Sequence, residues 1–535
     1  ATVLKMSATT EGWCDKGSPA EALVPRLQPL LHELCALYEG NIRAWNTCDL
    51  LRENYRTFAL LSDLYTQVQR LCDEQNMMLL SETKYLLSEF IDHNDAPFIY
   101  EKAGTRFERF MIDEFQDTSA REWENFLPLL RNALSQCRET ETSVLIVGDI
   151  KQSIYRWRGG DWRILHEEAR RALGEENTEV RNLGENWRSL PVVVEFNNRL
   201  IDRMVAADNA ALDALLAEAT ARGKVSPAAA AQLQGTLRDA YRDHAQTARR
   251  KASTAGYVSV ETFDERPPVV ERICELLDRG FRPCDLLVLV RNATDGAKIA
   301  AELLDFKGRN DDPRYRFDVM TQEALVLGNA PVSGFLAAAL RLALNADDTL
   351  HRAIYNQYLG QAFDRPLDEA ERAFFRSLRL LSPEEAFERI VMRHALQERP
   401  QETAYLQAFH EQVIAFCANR VADIPLFLKW WDEQGAARSL SVERSEQAIE
   451  ILTIHKAKGL ENKAVLIPYC SWQLDPKASG RVQNIVWAEA QGEAAGIGRF
   501  PVKFRQAMGE SEFSEEYYRE TVYSHVDNIN LLYVA

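Results

Sequence analysis

Residues 110–119 read Phe-Met-Ile-Asp-Glu-Phe-Gln-Asp-Thr-Ser. The apolar triplet Phe110, Met111 and Ile112 is long enough for a short buried strand, and two adjacent carboxylates, Asp113 and Glu114, follow at its carboxyl end. Open parallel sheets bind their ligands at that end. An acid pair there suits metal-phosphate chemistry: one carboxylate holds Mg²⁺, directly or through water, while its neighbour accepts a proton from an attacking water. Taken alone, the stretch fits an acidic surface turn after a strand better, because apolar runs that end in Asp-Glu are common.

A second strand is expected at Ser143 to Val147, and it too ends in a turn with an acid, Gly148-Asp149. The chain continues Ile-Lys-Gln-Ser-Ile-Tyr-Arg-Trp-Arg-Gly-Gly-Asp from Ile150 to Asp161. Here Gln152 is an amide able to sense a phosphate. Tyr155-Arg156-Trp157-Arg158 interleaves aromatic rings with guanidinium groups, the combination that stacks single-stranded bases and holds their phosphates. A hydrophobic anchor flanked by surface charge is the alternative for such a short run. Further on, Leu-Gly-Glu-Asn-Trp-Arg-Ser at 183–189 follows a possible strand at Glu179 to Leu183. Arg188 there suits a phosphate and Trp187 a base. Near the far end, His455-Lys456-Ala457-Lys458-Gly459-Leu460-Glu461 lies between two expected strands, a composition suited to a polyanion or to a solvated turn.

The elements that position these residues follow from periodicity. Residues 17–92 carry apolar positions at helical spacing, and Asp95 to Thr105 reads as a loop. Ala120 to Ser135 is helical between the first two strands, the strand-helix-strand unit of parallel sheets. Pro191 to about Ala255 is alanine-rich and helical, with Ser226-Pro227 as a helix start. Strands are expected at Tyr257 to Phe263 and Asp285 to Arg291, with a helix at Val269 to Leu277 that ends by Gly280. Asn345 to Glu446 is helical again and contains a capping box at Ser382-Pro383-Glu384-Glu385. Strands return at Ile449 to Ile454 and Ala464 to Ile467. Gln473 to Glu510, with Gly480, Gly492, Gly496 and Gly498, reads as loop before a last helix.

Composition sets limits. The chain has 535 residues, 46% hydrophobic and 27% charged, which is ordinary for globular chains and too long for one core. With 63 Lys and Arg against 80 Asp and Glu the net charge is −17, so any nucleic-acid contact must be local rather than a general phosphate-neutralising coat. The nine cysteines are scattered without metal-ligand spacing, as expected of reduced thiols in the cytoplasm. No apolar run approaches the ~20 residues that span a bilayer, so no membrane partner is expected.

In order and spacing these segments resemble the superfamily 1 DNA helicases of the UvrD/Rep type, especially the RecB/AddA helicase-nuclease branch. Residues 113–119 resemble that family's Walker B motif, 148–161 its motif III, Asn-Trp-Arg-Ser at 186–189 its motif IV, and Thr-Ile-His-Lys-Ala-Lys-Gly-Leu-Glu at 453–461 its motif V. The resemblance covers roughly 350 residues. It implies an α/β fold of two RecA-like, P-loop NTPase type parallel-sheet domains that sandwich ATP, the first incomplete, with helical inserted subdomains. On this reading 1–105 is a mainly helical accessory segment and 106–255 the remainder of the first RecA-like domain. The second such domain is then 256–344 and 447–535, interrupted by a helical subdomain at 345–446.

The resemblance further assigns Mg²⁺ to Asp113, activation of water to Glu114, and the γ-phosphate to Gln152 and Arg188. It places Trp187, Gly459 and Glu461 near the nucleotide. Tyr155, Arg156, Trp157, Arg158 and His455 fall to DNA, with Trp157 stacking on a single strand. It implies a helicase or translocase of DNA repair and recombination that moves on single-stranded or duplex-end DNA by hydrolysing ATP, with a helicase-nuclease partner subunit. Two departures stand out. No Gly-x-x-x-x-Gly-Lys-Ser/Thr loop precedes the Walker B strand, and Leu532-Tyr533-Val534-Ala535 matches only the opening of motif VI, short of its Thr-Arg. The expectation is therefore an internal portion of a longer helicase, itself deficient in ATP hydrolysis. The alternative is a non-catalytic pseudo-helicase, a structural subunit that binds DNA or a partner; the intact Asp113, Glu114, Gln152 and Arg188 set speaks against it.

Overall fold

The computed structural model describes residues 13–14, 18–92, 107–136, 143–249, 256–321, 326–399, 402–418, 423–438, 446–474 and 484–535. The loop expected at Asp95 to Thr105, and Gly480, lie outside them. The fold is mixed α/β, mostly helical, with parallel sheets. The chain divides into two compact units, Ala1–Val260 with Gln473–Val534 and Glu261–Trp472 with Ala535.

The first unit opens on α1 (Val24–Glu74), a single helix of 51 residues, followed by α2 (Thr83–Asp92). Pro25 begins α1, where its missing N–H costs nothing. The apolar spacing of Leu27, Leu30, Leu34 and Leu37 is helical as expected, yet these side chains are exposed; α1 is buried chiefly around Leu50. Next come β1 (Phe110–Ile112), α3 (Ala120–Gln136) and β2 (Val144–Ile146). β1 and β2 pair in parallel with Phe110 opposite Val144 and Ile112 opposite Ile146. Their alternate residues pack with Phe115, Trp123, Leu130 and Ile164. The expectation of a buried strand holds for this face only. A strand turns successive side chains to opposite faces, and Met111 on the other face is 80% exposed.

The segment Glu179–Leu183 is irregular, with no strand pairing among the described residues; pairing begins two residues later, where β3 (Glu185–Asn186) lies parallel to β4 (Thr247–Ala248). Between them run α4 (Pro191–Ala221) and α5 (Pro227–Leu233). The Ser226 side chain caps α5 by accepting from the Ala229 amide, as its place before Pro227 predicts.

Tyr257 to Phe263, expected as a strand, straddles the boundary of the second unit and contains no regular element. Then α6 (Val269–Asp278), β5 (Leu286–Val290), α7 (Ala293–Arg309) and β6 (Asp318–Thr321) follow, with every residue of β5 buried. The chain then leaves the sheet for α8 (Pro331–Leu344), α9 (Thr349–Tyr358), α10 (Glu369–Leu378), α11 (Pro383–Arg393), α12 (Thr403–Cys417) and α13 (Ile424–Trp430). The capping box at Ser382 and Glu385 forms. The helical cluster starts before the expected Asn345: α8 is buried nearly all round and is its central element, and one core runs from Leu327 to Trp431. β7 (Ala448–Thr453) and β8 (Ala464–Leu466) complete a parallel sheet of order β6-β7-β5-β8.

The last segment differs most from expectation. Residues 473–534 pack with the first unit rather than continuing the second. In place of a loop they form an antiparallel hairpin, β9 (Ile485–Glu489) and β10 (Arg499–Lys503), which covers Leu50 of α1 with Ala488, Phe500 and Val502. The glycines belong to its connection, where Gly492 and Gly498 take positive φ. The chain closes with α14 (Ser514–Val534), whose Val522, Val526 and Ile529 enter a core with Trp162, Ile201 and Leu212.

Candidate functional site

Asp113 and Glu114 are exposed at the carboxyl end of β1. The Asp113 carboxylate accepts the Glu114 amide at 2.9 Å, and Glu114 takes a left-handed conformation, φ 53°. A non-glycine residue held there stores strain, and such residues concentrate at functional sites. What holds it is Gln116, 1% exposed in the short turn Phe115–Asp117. Gln116 Nε2 donates to the Glu114 carboxylate at 2.6 Å, and Gln116 Oε1 accepts the Asp149 amide at 3.0 Å. Its main-chain carbonyl accepts from Ser153 Oγ at 3.2 Å. One buried amide therefore connects the two strand ends. Gly148 permits this approach, since a Cβ there would meet Gln116 Oε1 at 2.7 Å.

Asp149 organises the next turn, Ile150–Gln152. Its carboxylate accepts from the Lys151 amide at 3.1 Å, pairs with Lys151 Nζ at 2.6 Å, and accepts from Gln152 Nε2 at 3.2 Å. The loop is also laced back to the first strand end: Asp161 N donates to Thr118 O at 3.0 Å, and Gly160 bridges Ser119. Ser119 in turn donates from N and Oγ to Glu122. Burial raises the Glu122 carboxyl, and these bonds with the Lys84 charge more than offset it, so the carboxyl is held below its ordinary range.

Of the four residues expected at DNA in this loop, three form one surface. Trp157 is 72% exposed, its ring centroid 6.4 Å from that of Tyr155, and the Arg158 guanidinium lies over both rings at 5.5 and 6.0 Å. Arg156 is placed differently. Its guanidinium makes a bidentate pair with Glu520, both bonds 2.8 Å, and a third bond to Asp527 at 2.6 Å. A cation matched by two carboxylates offers little attraction to phosphate, so Arg156 reads as an anchor. The alternation of aromatic and Arg hid this, because the partners lie more than 360 residues away.

Trp187 and Arg188 sit on a separate turn after β3. The Asn186 side chain accepts from the amides of Arg188 and Ser189 at 3.0 and 2.8 Å, and is fixed by donating to Gln246 at 2.6 Å. Trp187 is 70% exposed. In the second unit, His455 lies on the helical turn Ile454–Ala457 directly after β7, beside Lys456 and Lys458. Burial and the nearby Arg291 charge both push the His455 imidazole below its ordinary range. Arg291 follows β5, the parallel neighbour of β7, and joins the basic set without having been singled out by sequence. Gly459 has φ 82°, and Glu461 is exposed beyond it.

Sequence reasoning also passed over Gln116 and Asp149. Both stood inside quoted motifs; only the hydrogen bonds reveal that they hold Glu114 and Gln152. Among the described residues no group of three or more His, Cys, Asp or Glu side chains is arranged to hold a metal. An exposed carboxylate pair at a strand end suits Mg²⁺ all the same, because that ion keeps most of its waters and takes one or two carboxylates with substrate phosphates. Among the described residues no helix is long and apolar enough to cross a membrane.

Residues 32–172 match the UvrD/REP helicase N-terminal domain. An ATP-dependent helicase/nuclease subunit of Streptococcus pneumoniae (strain Hungary19A-6) is 25% identical over 465 residues, covering 78% of this chain and 37% of the relative. The protein of the same name from Lactococcus lactis subsp. lactis (strain IL1403) is 27% identical over 267 residues, 48% of this chain and 20% of that relative. The exonuclease/helicase subunit RexA of Streptococcus pneumoniae serotype 4 (strain ATCC BAA-334 / TIGR4) is 25% identical over 463 residues, 78% of this chain and 37% of the relative. The chain thus spans between a fifth and little more than a third of the length of these relatives. The Asp113–Glu114 strand end and the 148–161 loop tied to it lie within the matched region, so the chain is similar there to the UvrD/REP helicase N-terminal domain and over most of its length to helicase/nuclease subunits, a likeness that supports a UvrD-like superfamily 1 helicase of the RecB/AddA branch.

Proposed function

We propose that this chain is part of an ATP-dependent DNA helicase or translocase of repair and recombination, with the parallel sheets of its two units as RecA-like domains. The observation that carries the reading is the Gln116 link, which joins the carboxylates at the end of β1 to the loop bearing both Gln152 and Trp157. In this reading Asp113 would hold Mg²⁺, which would supply positive charge beside the phosphates. Glu114, oriented by Gln116, accepts the proton of the attacking water. Gln152 and Arg188 contact the γ-phosphate, while Trp187, Gly459 and Glu461 serve the nucleotide. Tyr155, Trp157 and Arg158 stack and hold a single strand, with His455 and its neighbouring cations contacting backbone phosphates. Because Gln152 and Trp157 share one short loop, a shift of the former on hydrolysis reaches the latter.

The substrate is then single-stranded or duplex-end DNA, the compartment the cytoplasm, and the assembly includes a helicase-nuclease partner subunit; the relatives' names call them subunits of a helicase/nuclease. None of the 535 residues forms a Gly-x-x-x-x-Gly-Lys-Ser/Thr loop, so this chain on its own is expected to hydrolyse ATP slowly. The test is a fluorescence-anisotropy titration of a labelled oligothymidylate of ~20 nucleotides, at low salt and again at higher salt. Binding that weakens steeply with salt is expected, since a net charge of −17 leaves only local basic patches to hold the strand. Absence of binding at low salt would remove the DNA reading.

A further inference from the structure

One face of α14 carries Glu520, Tyr523, Asp527, Asn530 and Tyr533, spaced three and four residues apart. Every member touches the loop that holds Gln152 and Trp157. Glu520 and Asp527 take the Arg156 guanidinium, which also lies 5.9 Å from the Tyr523 ring centre. Lys151 Nζ lies 5.7 Å from the Tyr533 ring centre. Asn530 is fully buried, and its Nδ2 donates to Ile150 O at 3.0 Å and to Ser153 O at 2.9 Å. Its Oδ1 accepts from Tyr241 OH at 2.7 Å, so every polar atom of the side chain is used. The two carbonyls it holds bracket Lys151 and Gln152.

We propose that Asn530, with Glu520 and Asp527, forms a positioning element that fixes the 150–156 loop from behind, so that α14 sets where Gln152 and Trp157 point. The proposal rests on the reading of that loop as the link between nucleotide and DNA. A backbone carbonyl pair held by one buried amide has a single favoured geometry; without the amide both carbonyls must find water in a site that excludes it. The Gln152 and Ser153 amides close the turn by donating to Asp149 O and Ile150 O, and they report its integrity directly.

The test uses the full chain and three variants, Asn530→Leu, Glu520→Gln and Tyr241→Phe. Tyr241→Phe removes the bond to Asn530 Oδ1 while leaving both loop carbonyls held. Hydrogen exchange by mass spectrometry is expected to show the Gln152 and Ser153 amides exchanging about tenfold faster in Asn530→Leu, with the amides of α14 unchanged. Glu520→Gln is expected to speed the Arg158 and Gly159 amides, and Tyr241→Phe neither set. Oligothymidylate affinity is expected to fall roughly fivefold in Asn530→Leu with its salt dependence unchanged, the sign of a misplaced rather than a discharged surface. Equal loop exchange in wild type, Asn530→Leu and Glu520→Gln overturns the positioning role, whatever the chain binds. Faster loop exchange with unaltered affinity makes the contact purely structural and overturns it too. If Asn530→Leu does not fold, Glu520→Gln carries the test through the Arg158 and Gly159 amides, with oligothymidylate affinity expected to fall in the same direction. Absence of DNA binding by the wild type would remove the functional reading and with it the role claimed here, whereas the exchange data would still decide whether α14 holds the loop.

Discussion

Replacing Gln116 by leucine removes both side-chain bonds of the link between the strand ends while keeping approximate volume. The bond to the Asp149 amide is neutral and half-buried, worth about 1 kcal/mol, and its loss leaves that N–H short of a partner. The bond to Glu114 is charge-assisted, but Glu114 is exposed and water replaces much of it, leaving about 0.5 to 1 kcal/mol. A destabilisation of about 2 kcal/mol is expected, read by urea denaturation of the whole chain. Tryptophan emission is a suitable signal, since Trp123 packs edge-on against Phe115 beside the substituted residue. Gln116→Glu adds a sign test. Two carboxylates at the 2.6 Å separation seen here cannot both ionise, so the pair's folded-state pKa is raised and the folded chain binds more protons than the unfolded one above the usual carboxylate range. The variant's deficit relative to wild type should therefore grow as pH rises from 4 towards 7. A change below about 0.5 kcal/mol in Gln116→Leu, or a deficit in Gln116→Glu that is independent of pH, would refute the link.

Other perturbations have separable outcomes. Gly148→Ala places a Cβ 2.7 Å from Gln116 Oε1 and 2.9 Å from Leu165 Cδ2, and should cost about 1 to 3 kcal/mol in the same denaturation assay through crowding alone, since Gly148 has no positive φ. Arg158→Met should lower the slope of log affinity against log salt by about 0.7. Arg156→Met should leave that slope unchanged and instead destabilise the chain by about 2 to 3 kcal/mol, because Glu520 and Asp527 lose their cation in a site only partly open to solvent. In the helical cluster, burial first and then the Arg393 and Arg399 charges lower His394 to about 4, with Tyr355 OH 3.2 Å from its Nε2. The unfolded imidazole binds its proton near pH 6.5, so stability present above that pH is lost as pH falls towards 4. Discounted for the ring's partial exposure, the loss is about 1 to 2 kcal/mol, and His394→Phe should flatten acid denaturation over this window.

The reading of the sequence located β1, β2, α3, β5, β7 and β8 because each is a short apolar run between turn signals or a strongly periodic segment, for which local pattern decides the outcome. It failed where tertiary pairing decides. Glu179 to Leu183 and Tyr257 to Phe263 have strand-like residues but form no strand among the described residues. Ile485 to Lys503 forms a hairpin despite its glycines, because Ala488, Phe500 and Val502 find Leu50 on a helix more than 400 residues away. The site divides in the same way. Asp113, Glu114, Gln152 and Trp157 were legible as residue types in spacing. The parts that hold them were not: Gln116 reads as an ordinary turn residue, and nothing in the polar and apolar mixture of 514–534 marks Asn530 apart from its neighbours. Arg156 shows the converse, a residue whose type fits DNA but whose charge is already matched by α14.

The most direct measurement of the central claim, that the 148–161 loop presents a DNA-stacking ring beside the nucleotide-sensing amide, is the single-strand affinity of Trp157→Ala set against that of wild type. Trp157 is 72% exposed and among the described residues makes ring contacts with Tyr155 and Arg158, so its removal should leave the denaturation midpoint unchanged. The account predicts a loss of about 1 to 3 kcal/mol, roughly 5- to 150-fold in Kd, with that midpoint intact. An unchanged affinity would contradict it.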